Sequence, residues 1–503
     1  MISVAGRFGR WNFAGAFLAL IVLSGCTVGP RYARPTAPVP PAYEETPPGY
    51  KNAQPSDQIA KGKWWEIYQD AQLNALEEKV NVSNQTLKAS VAQFEQARAM
   101  VRQFRADYYP TVTAGANVSR NRLSQNRGVF TSQPVYTDLQ IPVVGVSWEP
   151  DVFGRVRKTV EQARANAQAS AGDLESVSLT LHAELAVDYF EVRTLDAEEQ
   201  LLRDNVDAFQ RALELTQNRY AGGVASGVDV AQAQTQLETT RAQMVDLQVA
   251  RAQFEHAVAV LVGEPASTFN IAFAPWNTAP PAIPTGLPSD LLERRPDIAA
   301  AERRVAAANA GIGIARTGYF PLFNVSGTGG LESSTITNLI ASPSGFLSLG
   351  ASAVVTAFDV GRRRAISDEA KAVYDQSAAQ YRQTLLTAFQ EVEDNLAALR
   401  ILDDESKTQD AAVAAAQHSL DLSVTRYKGG VTTYLEVTTA QGIALSDERV
   451  AVQILARRMS ASVQLIQALG GGWDAASLNN LQLSSSQPPS TGRQSGTQVA
   501  SRP

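Results

Sequence analysis

This chain of 503 residues contains little of what metal-binding and catalytic sites are usually built from. It has one cysteine, three histidines and four methionines. A single cysteine excludes a disulfide within the chain. The histidines, His182, His256 and His418, lie far apart, and none has a second ligand at the spacing of a metal site. We therefore predict that the protein is not an enzyme, that it needs no metal or cofactor, and that its histidines are structural.

A basic surface is also missing. The chain has 44 lysines and arginines against 50 aspartates and glutamates, for a net charge of −6. Proteins that bind nucleic acid usually carry a basic patch and a high isoelectric point. The charge balance therefore gives no reason to expect nucleic acid as a partner.

The start of the chain reads as an export signal rather than a spanning helix. Arg7 and Arg10 precede a short, largely apolar run from Trp11 to Leu23. Cys26 follows Ser24-Gly25 and resembles the cysteine of a bacterial lipobox, which is cleaved, lipidated and becomes the first residue. Thr27 comes next in place of the aspartate that retains lipoproteins in the inner membrane, so the resemblance implies the outer membrane. Prolines then recur from residue 30 to residue 55, which predicts an extended strap.

Proline is absent from residue 155 to residue 220, and Gly172 is the only glycine there. Apolar residues recur at helical spacing: Leu174, Val177, Leu181, Leu185, Tyr189, Val192 and Leu195. A helix of this span would be about 100 Å long. Paired glycines in the segment Arg219–Val224 predict a turn, and a second helix from Val228 to Val262 runs back. The pattern predicts a long helical hairpin.

The same hairpin occurs again later in the chain. Tyr427 lies 207 residues after Tyr220 in a repeated Arg-Tyr-x-Gly-Gly-Val turn, and Gly361-Arg362 follows Gly154-Arg155 by the same offset. Phe320-Pro321 follows Tyr109-Pro110 by 211 residues, which implies a small insertion between the predicted strands. An internal duplication that aligns at so many points predicts two copies of one unit.

The predicted domains follow from this duplication. They are a signal peptide (1–25), a lipid-anchored strap (26–63), a first repeat (64–263, with a β-hairpin at about 111–150 and a helical hairpin at 155–263), a linker (264–288), a second repeat (289–470, with a helix, a β-hairpin at about 322–358 and a helical hairpin at 361–469) and a disordered tail (471–503).

Each repeat contains segments in which polar and apolar residues alternate. Thr111 to Ser119 alternates strictly, with Val143 to Trp148 as its predicted partner and Leu123 to Asp138 as the loop between them. In the second repeat, Leu347 to Val355 alternates opposite Asn324 to Leu331. An edge hairpin of a soluble sheet would give the same pattern. The position of each hairpin at the end of a very long helix favours a membrane hairpin.

Four such strands cannot stand alone in lipid, because an open sheet leaves unpaired backbone groups. Bacterial outer-membrane barrels have about eight or more strands. We therefore predict a barrel shared between copies of the chain, in which two copies give eight strands and three give twelve. The strand count alone does not decide between these numbers.

The motifs together resemble the TolC family of outer-membrane channels and, within it, the OprM/NodT-type lipoproteins. They are Cys26, Trp64-Trp65, Tyr109-Pro110, the Asp151–Arg155 segment and the two Arg-Tyr-x-x-Gly turns. The resemblance covers roughly residues 26–473. It implies a homotrimer with a twelve-stranded β-barrel in the outer membrane, continuous with a long periplasmic α-helical barrel. It also implies two partners, a periplasmic adaptor (membrane fusion) protein and an inner-membrane resistance–nodulation–division transporter.

The resemblance also implies roles for residues near the two turns. The adaptor would dock on the turns themselves, through Tyr220, Gly222, Gly223, Tyr427, Gly429 and Gly430. Leu435 matches the apolar gate position of OprM-like members, but their acidic gate residue is Thr439 here. Glu436 stands where TolC-like members carry an acid and could supply a negative ring instead.

We expect a passive exit duct for drugs and other small molecules, and hence a role in antibiotic resistance. Two other functions stay open at this stage. One is a type I protein-secretion channel that uses the same tube. The other is a structural envelope lipoprotein without a pore, since a solvated coiled-coil rod would explain the helices.

Overall fold

The structure is a computed structural model that describes residues 27–36, 39–45, 63–122, 124, 135–276, 278–283 and 294–473. The predicted signal peptide, Cys26 and residues 474–503 of the predicted tail lie outside the described residues. None of the described helices combines the length and the apolarity that crossing a membrane requires.

Seven α-helices and four β-strands make up most of the described chain. In chain order they are α1 (Ala71–Ser83), α2 (Gln85–Ala106), β1 (Thr111–Arg122), β2 (Val135–Trp148), α3 (Arg155–Ala221), α4 (Gly227–Leu261), α5 (Pro296–Thr317), β3 (Leu322–Ser333), β4 (Gly345–Val354), α6 (Arg362–Lys428) and α7 (Tyr434–Ala468). A short 3₁₀ helix, Trp64–Tyr68, precedes α1, and two others, Ile336–Asn338 and Ser342–Ser344, lie between β3 and β4.

The two helical hairpins have equal dimensions. Helices α3 and α6 each have 67 residues, and α4 and α7 each have 35. Each helix of the second hairpin begins 207 residues after its counterpart. Two copies of one unit would give these lengths and this spacing.

The chain forms two compact units, and each takes segments from both halves of the sequence. One contains the described parts of Met1–Thr36, Gln93–Ser170 and Ala301–Tyr381, and therefore the whole sheet. The other contains the described parts of Ala37–Ala92, Ala171–Ala300 and Arg382–Pro503, and therefore both helical turns.

In the first unit the strands form one antiparallel sheet in the order β1-β2-β3-β4, so β1 and β4 are its edges. Strand β2 begins at Val135, whereas the alternation predicted only Val143 to Trp148 and placed residues 123–138 in a loop. The reason is a register shift between Gln140 and Val143. Because a bulge moves the following side chains to the other face, period two is visible only after it.

The described part of the strap has neither helix nor strand, as its prolines predicted. In the first unit, the Val28 N–H donates to the carbonyl of Phe153 over 3.3 Å, and Tyr32 donates to Glu302. In the second unit, the backbone amides of Glu44 and Glu45 donate to the Glu393 carboxylate. Each described part of the strap is therefore hydrogen-bonded to the compact unit to which it belongs.

His182 lies in the interior of the second unit. Its Nδ1 is 2.5 Å from Oε2 of Glu77, its Nε2 is 3.2 Å from Oδ1 of Asn81, and the Trp65 ring stacks on it with centroids 4.5 Å apart. Both His182 and Glu77 are buried. The contacts join α1 to α3 and give His182 the structural role that its sequence position indicated.

Candidate functional site

The first candidate surface is the pair of turns that end the long helices. At the end of α3, the Val224 N–H donates to the Arg219 carbonyl over 2.8 Å, and the Gly223 N–H donates to the Tyr220 carbonyl over 2.9 Å. These two bonds form a Schellman motif, which needs a left-handed residue just beyond the helix. Gly223 supplies it with a φ of 70°.

The turn after α6 is built in the same way. The Val431 N–H donates to the Arg426 carbonyl and the Gly430 N–H to the Tyr427 carbonyl, each over 3.0 Å. Gly430 has a φ of 73°. The repeated sequence therefore gives a repeated hydrogen-bond pattern at both turns.

The following helices begin differently. In α4, the side chain of Ser226 accepts from the Asp229 amide and the side chain of Asp229 accepts from the Ser226 amide, which is a capping box. In α7, Thr432 donates from its hydroxyl to Glu436, and Arg426 Nη1 lies 3.2 Å from Oε1 of Glu436. The charge of Glu436 is thus paired within its own hairpin.

Contacts also join the two turns to each other. Arg219 donates from Nη1 to the Lys428 carbonyl over 3.2 Å, and its guanidinium lies 4.7 Å from the centroid of the Tyr427 ring. Tyr427 in turn packs edge-on against Tyr434 with centroids 5.2 Å apart. Burial raises the pKa of Tyr434 to about 12, so this hydroxyl stays neutral. The two hairpins therefore share one packed end.

The residues predicted to dock an adaptor are not equivalent in this setting. Tyr220 is exposed, whereas its counterpart Tyr427 is buried in a cluster with Leu202, Phe209 and Leu213. Four apolar residues remain exposed at and beside the turns: Val224, Val228, Val431 and Leu435. The turns therefore present an apolar surface, although one of the two tyrosines does not belong to it.

The predicted gate residues fall into two groups. Leu435 is 56% exposed, and its carbonyl accepts from the hydroxyl of Thr439 over 2.8 Å. The spacing of four places Leu435 and Thr439 on one face of α7. Glu436 is half-buried and engaged by Arg426 and Thr432.

The second candidate surface is the apolar face of the sheet. A shallow cavity of about 730 Å³ lies on it, lined by residues that include Val144, Val146, Trp148, Leu347 and Leu349. These five side chains are exposed. An exposed apolar patch marks an interaction surface, and the two open edge strands can pair with further strands.

Some contacts at these sites could not be found from the sequence. Arg219 and the carbonyl of Lys428 are 209 residues apart, and the pairing of Arg426 with Glu436 depends on the path of the turn. The only feature of the sequence that pointed to these contacts was the arginine before each tyrosine in the repeated turn motif. Among the described residues, no group of three or more His, Cys, Asp or Glu side chains could hold a metal ion.

The comparison with known proteins decides the family. The outer membrane efflux protein family is matched over residues 76–264 and 287–471. This chain belongs to the outer membrane efflux protein family.

Individual relatives of the family cover nearly the whole chain. The toluene efflux pump outer membrane protein TtgC of Pseudomonas putida is 32% identical over 463 residues, which are 90% of this chain and 94% of TtgC. The pyoverdine export outer membrane protein OpmQ of Pseudomonas aeruginosa is 32% identical over 431 residues, which are 85% of this chain and 90% of OpmQ. The solved structure of the outer-membrane channel OprN is 29% identical, with a TM-score of 0.83, and the match covers 89% of this chain and all of that one.

The prediction of a TolC-type outer-membrane efflux protein is therefore confirmed. The protein is the outer-membrane channel component of an efflux pump, and its family consists of channel proteins. The fold, rich in helix with one four-stranded sheet, is that of the TolC-family channels.

Proposed function

We propose that three copies of this chain form a passive exit duct, with a shared twelve-stranded barrel in the outer membrane and an α-helical tunnel in the periplasm. The observation that carries the proposal is the four-stranded sheet, which has an exposed apolar face and two open edges. Such a sheet is stable in lipid only if further strands close it. Further copies of the same chain supply these strands, so no second kind of chain is needed.

The lipid anchor of the proposal is Cys26. The residues that follow it are held by the segment between strand β2 and helix α3. A Cβ atom built on Gly154 would lie 2.6 Å from Cγ2 of Thr27, and Val28 donates to the Phe153 carbonyl. An acylated Cys26 would therefore enter the membrane beside the sheet.

The two turns are the proposed docking surface for a periplasmic adaptor, which would link the duct to an inner-membrane transporter of the resistance–nodulation–division class. Their shared hydrogen-bond pattern and the exposed Val224 and Val431 support this role. In the same proposal Leu435 and Thr439 line the gate. Glu436 remains the proposed source of a negative ring at this gate, and in the single chain its carboxylate is paired with Arg426.

The cargo is proposed to be drugs and other small molecules, selected by the transporter rather than by the duct. The names of two relatives with equal identity to this chain support that view, since one refers to toluene and the other to pyoverdine. These are chemically unlike compounds. A duct of similar sequence therefore does not have to recognise its cargo.

The test is single-channel recording with the purified, lipidated protein in a planar bilayer. Discrete conductance steps from a trimeric preparation are expected. A trimer that never conducts, even when the turns are loosened by Arg426→Ala, would instead identify a structural envelope protein.

A further inference from the structure

The two β-hairpins share one register. In the first hairpin Thr111 pairs with Ser147, and in the second Leu322 pairs with Val354. Leu322 lies 211 residues after Thr111, and Val354 lies 207 residues after Ser147. These are the two offsets of the sequence repeat. Adding them to the paired residues at the base of the first hairpin gives the paired residues at the base of the second.

With the same offsets, the pairing at the junction between the two hairpins serves as a template for the pairing of the two edge strands. At that junction, β2 pairs with β3: Ser147 faces Ser326, Gly145 faces Thr328 and Val143 faces Gly330. Strand β2 corresponds to β4, and β3 corresponds to β1. By this correspondence, the template equivalent of the β2–β3 pair is a pair of β4 with a second β1 strand.

We propose that β4 pairs with β1 of the partner subunit in the register of the β2–β3 junction. Ser352 then faces Asn117 of the partner subunit, Val354 faces Gly115 of the partner subunit, and Gly350 faces Ser119 of the partner subunit. This inference rests on the shared barrel proposed above and adds its residue pairing.

The faces of the two edge strands agree with this register. Directly opposite residues in an antiparallel pair lie on the same face of the sheet. Ser352 and Asn117 both lie on the polar face, and Ala351 meets Val118 of the partner subunit on the apolar face. A slip by one residue would oppose polar to apolar side chains along the whole edge.

A second contact of the template lies just outside the strands. Phe153 packs on Phe320 with ring centroids 4.7 Å apart. The same offsets convert this pair into Val360 and Tyr109, which are 85% and 73% exposed. Val360 therefore packs on Tyr109 of the partner subunit, which covers two apolar side chains that the single chain leaves in solvent.

Disulfide trapping tests the register. The double variant Ser352→Cys/Asn117→Cys is oxidised in outer-membrane preparations and analysed without reductant. Covalent multimers are expected, because directly opposite strand residues are within disulfide reach. The heaviest covalent species then gives the number of chains in the ring.

Matched controls move one cysteine by two residues on the same face. Ser352→Cys/Gly115→Cys and Ser352→Cys/Ser119→Cys should link far less, since a shift of two residues is roughly 7 Å along a strand. The pair Val360→Cys/Tyr109→Cys lies outside the strands and tests the same junction if the strand variants assemble poorly. Each single-cysteine variant shows whether Cys26 contributes a thiol.

The outcomes separate the register from the assembly. Preferential linking at position 115 or 119 in an intact oligomer would overturn the register and leave the shared barrel standing. An oligomer by native mass that links at none of the pairs would also overturn the register. A monomer by native mass, with no linking in any variant, would overturn the shared barrel itself.

Discussion

At the scale of single residues, the exposed Leu435 either lines the proposed gate or only stands at the start of helix α7, and a substitution distinguishes the two roles. Leu435 is 56% exposed, and Val228 at the corresponding position of the first hairpin is 64% exposed. An apolar constriction opposes the passage of water and ions. If Leu435 lines that constriction, shortening it to alanine widens and weakens it.

We expect Leu435→Ala to raise the conductance of the closed duct in a bilayer and the uptake of a large antibiotic by cells. Val228→Ala is the matched control and should change neither. An unchanged conductance for Leu435→Ala would remove this residue from the gate. Equal leaks from both variants would mean that the two hairpins share the constriction.

The buried pair of His182 and Glu77 makes a prediction about pH. Burial lowers the pKa of His182 to about 4 and raises the pKa of Glu77 well above its usual value. Oδ1 of Asn81 accepts a hydrogen bond, so Nε2 of His182 carries the ring proton. Beyond that proton, the pair holds one more, which the neutral Glu77 carboxyl donates to Nδ1 of His182. In the unfolded chain the two groups also hold one proton between about pH 4.3 and 6.5, but none at higher pH.

The contribution of this pair to stability is therefore flat in that window and falls as the pH rises above about 6.5, by up to about 1.4 kcal/mol per pH unit. Glu77→Gln should flatten the alkaline fall of the thermal unfolding midpoint between pH 6.5 and 9. Glu238→Gln, at an exposed ion pair with Arg241, is the control and should keep the wild-type slope. A slope that Glu77→Gln leaves intact would show that the proton is bound elsewhere.

At the scale of elements, two glycines with the same backbone angle have different tasks. Gly263 follows α4 with a φ of 73°, and a Cβ atom built on it would lie 2.6 Å from the Ser83 carbonyl oxygen at the end of α1. Gly223 has a φ of 70°, and no described atom lies within 4 Å of its built Cβ beyond its own neighbours. Only Gly263 is needed for both conformation and space.

Alanine in a left-handed conformation costs roughly 1–2 kcal/mol, and both variants incur that cost. Gly263→Ala must also push α1 away from α4, so its melting temperature should fall clearly further than that of Gly223→Ala. Thermal unfolding followed by circular dichroism measures both. Equal losses would mean that α1 yields freely at Ser83.

The sequence was a good guide to elements with a sustained period and a poor one to their contacts. Helix α3 was predicted from residue 155 to residue 220 and ends at Ala221, because its apolar spacing and terminal glycines are local signals. The first eight residues of β2 were missed, since the register shift hides their alternation. The pairing of Glu436 with Arg426 and that of His182 with Glu77 depend on how separate segments meet, and no local pattern records that.

At the scale of the whole molecule, the proposed barrel turns the apolar face of the sheet to lipid and the polar face to water, and adjacent residues of one strand lie on opposite faces. Leu349 is one of the residues that line the cavity on the apolar face, and Ser348, next to it in the strand, lies on the opposite face. An arginine on the lipid face of a barrel costs about 2–4 kcal/mol near the bilayer midplane, whereas lumen positions tolerate charge. The same substitution at two neighbouring positions should therefore have two different consequences.

Leu349→Arg should reduce the amount of assembled oligomer in the outer membrane, measured as the heat-sensitive high-mass band in membrane fractions. Ser348→Arg should assemble at the wild-type level and shift the reversal potential of the channel toward anions, because its charge faces the conducting water. If both variants assembled equally and neither changed ion selectivity, the alternation in β4 would not divide lipid from water. The four strands would then be the edge of a soluble sheet, and the closed barrel that follows from them would have no support.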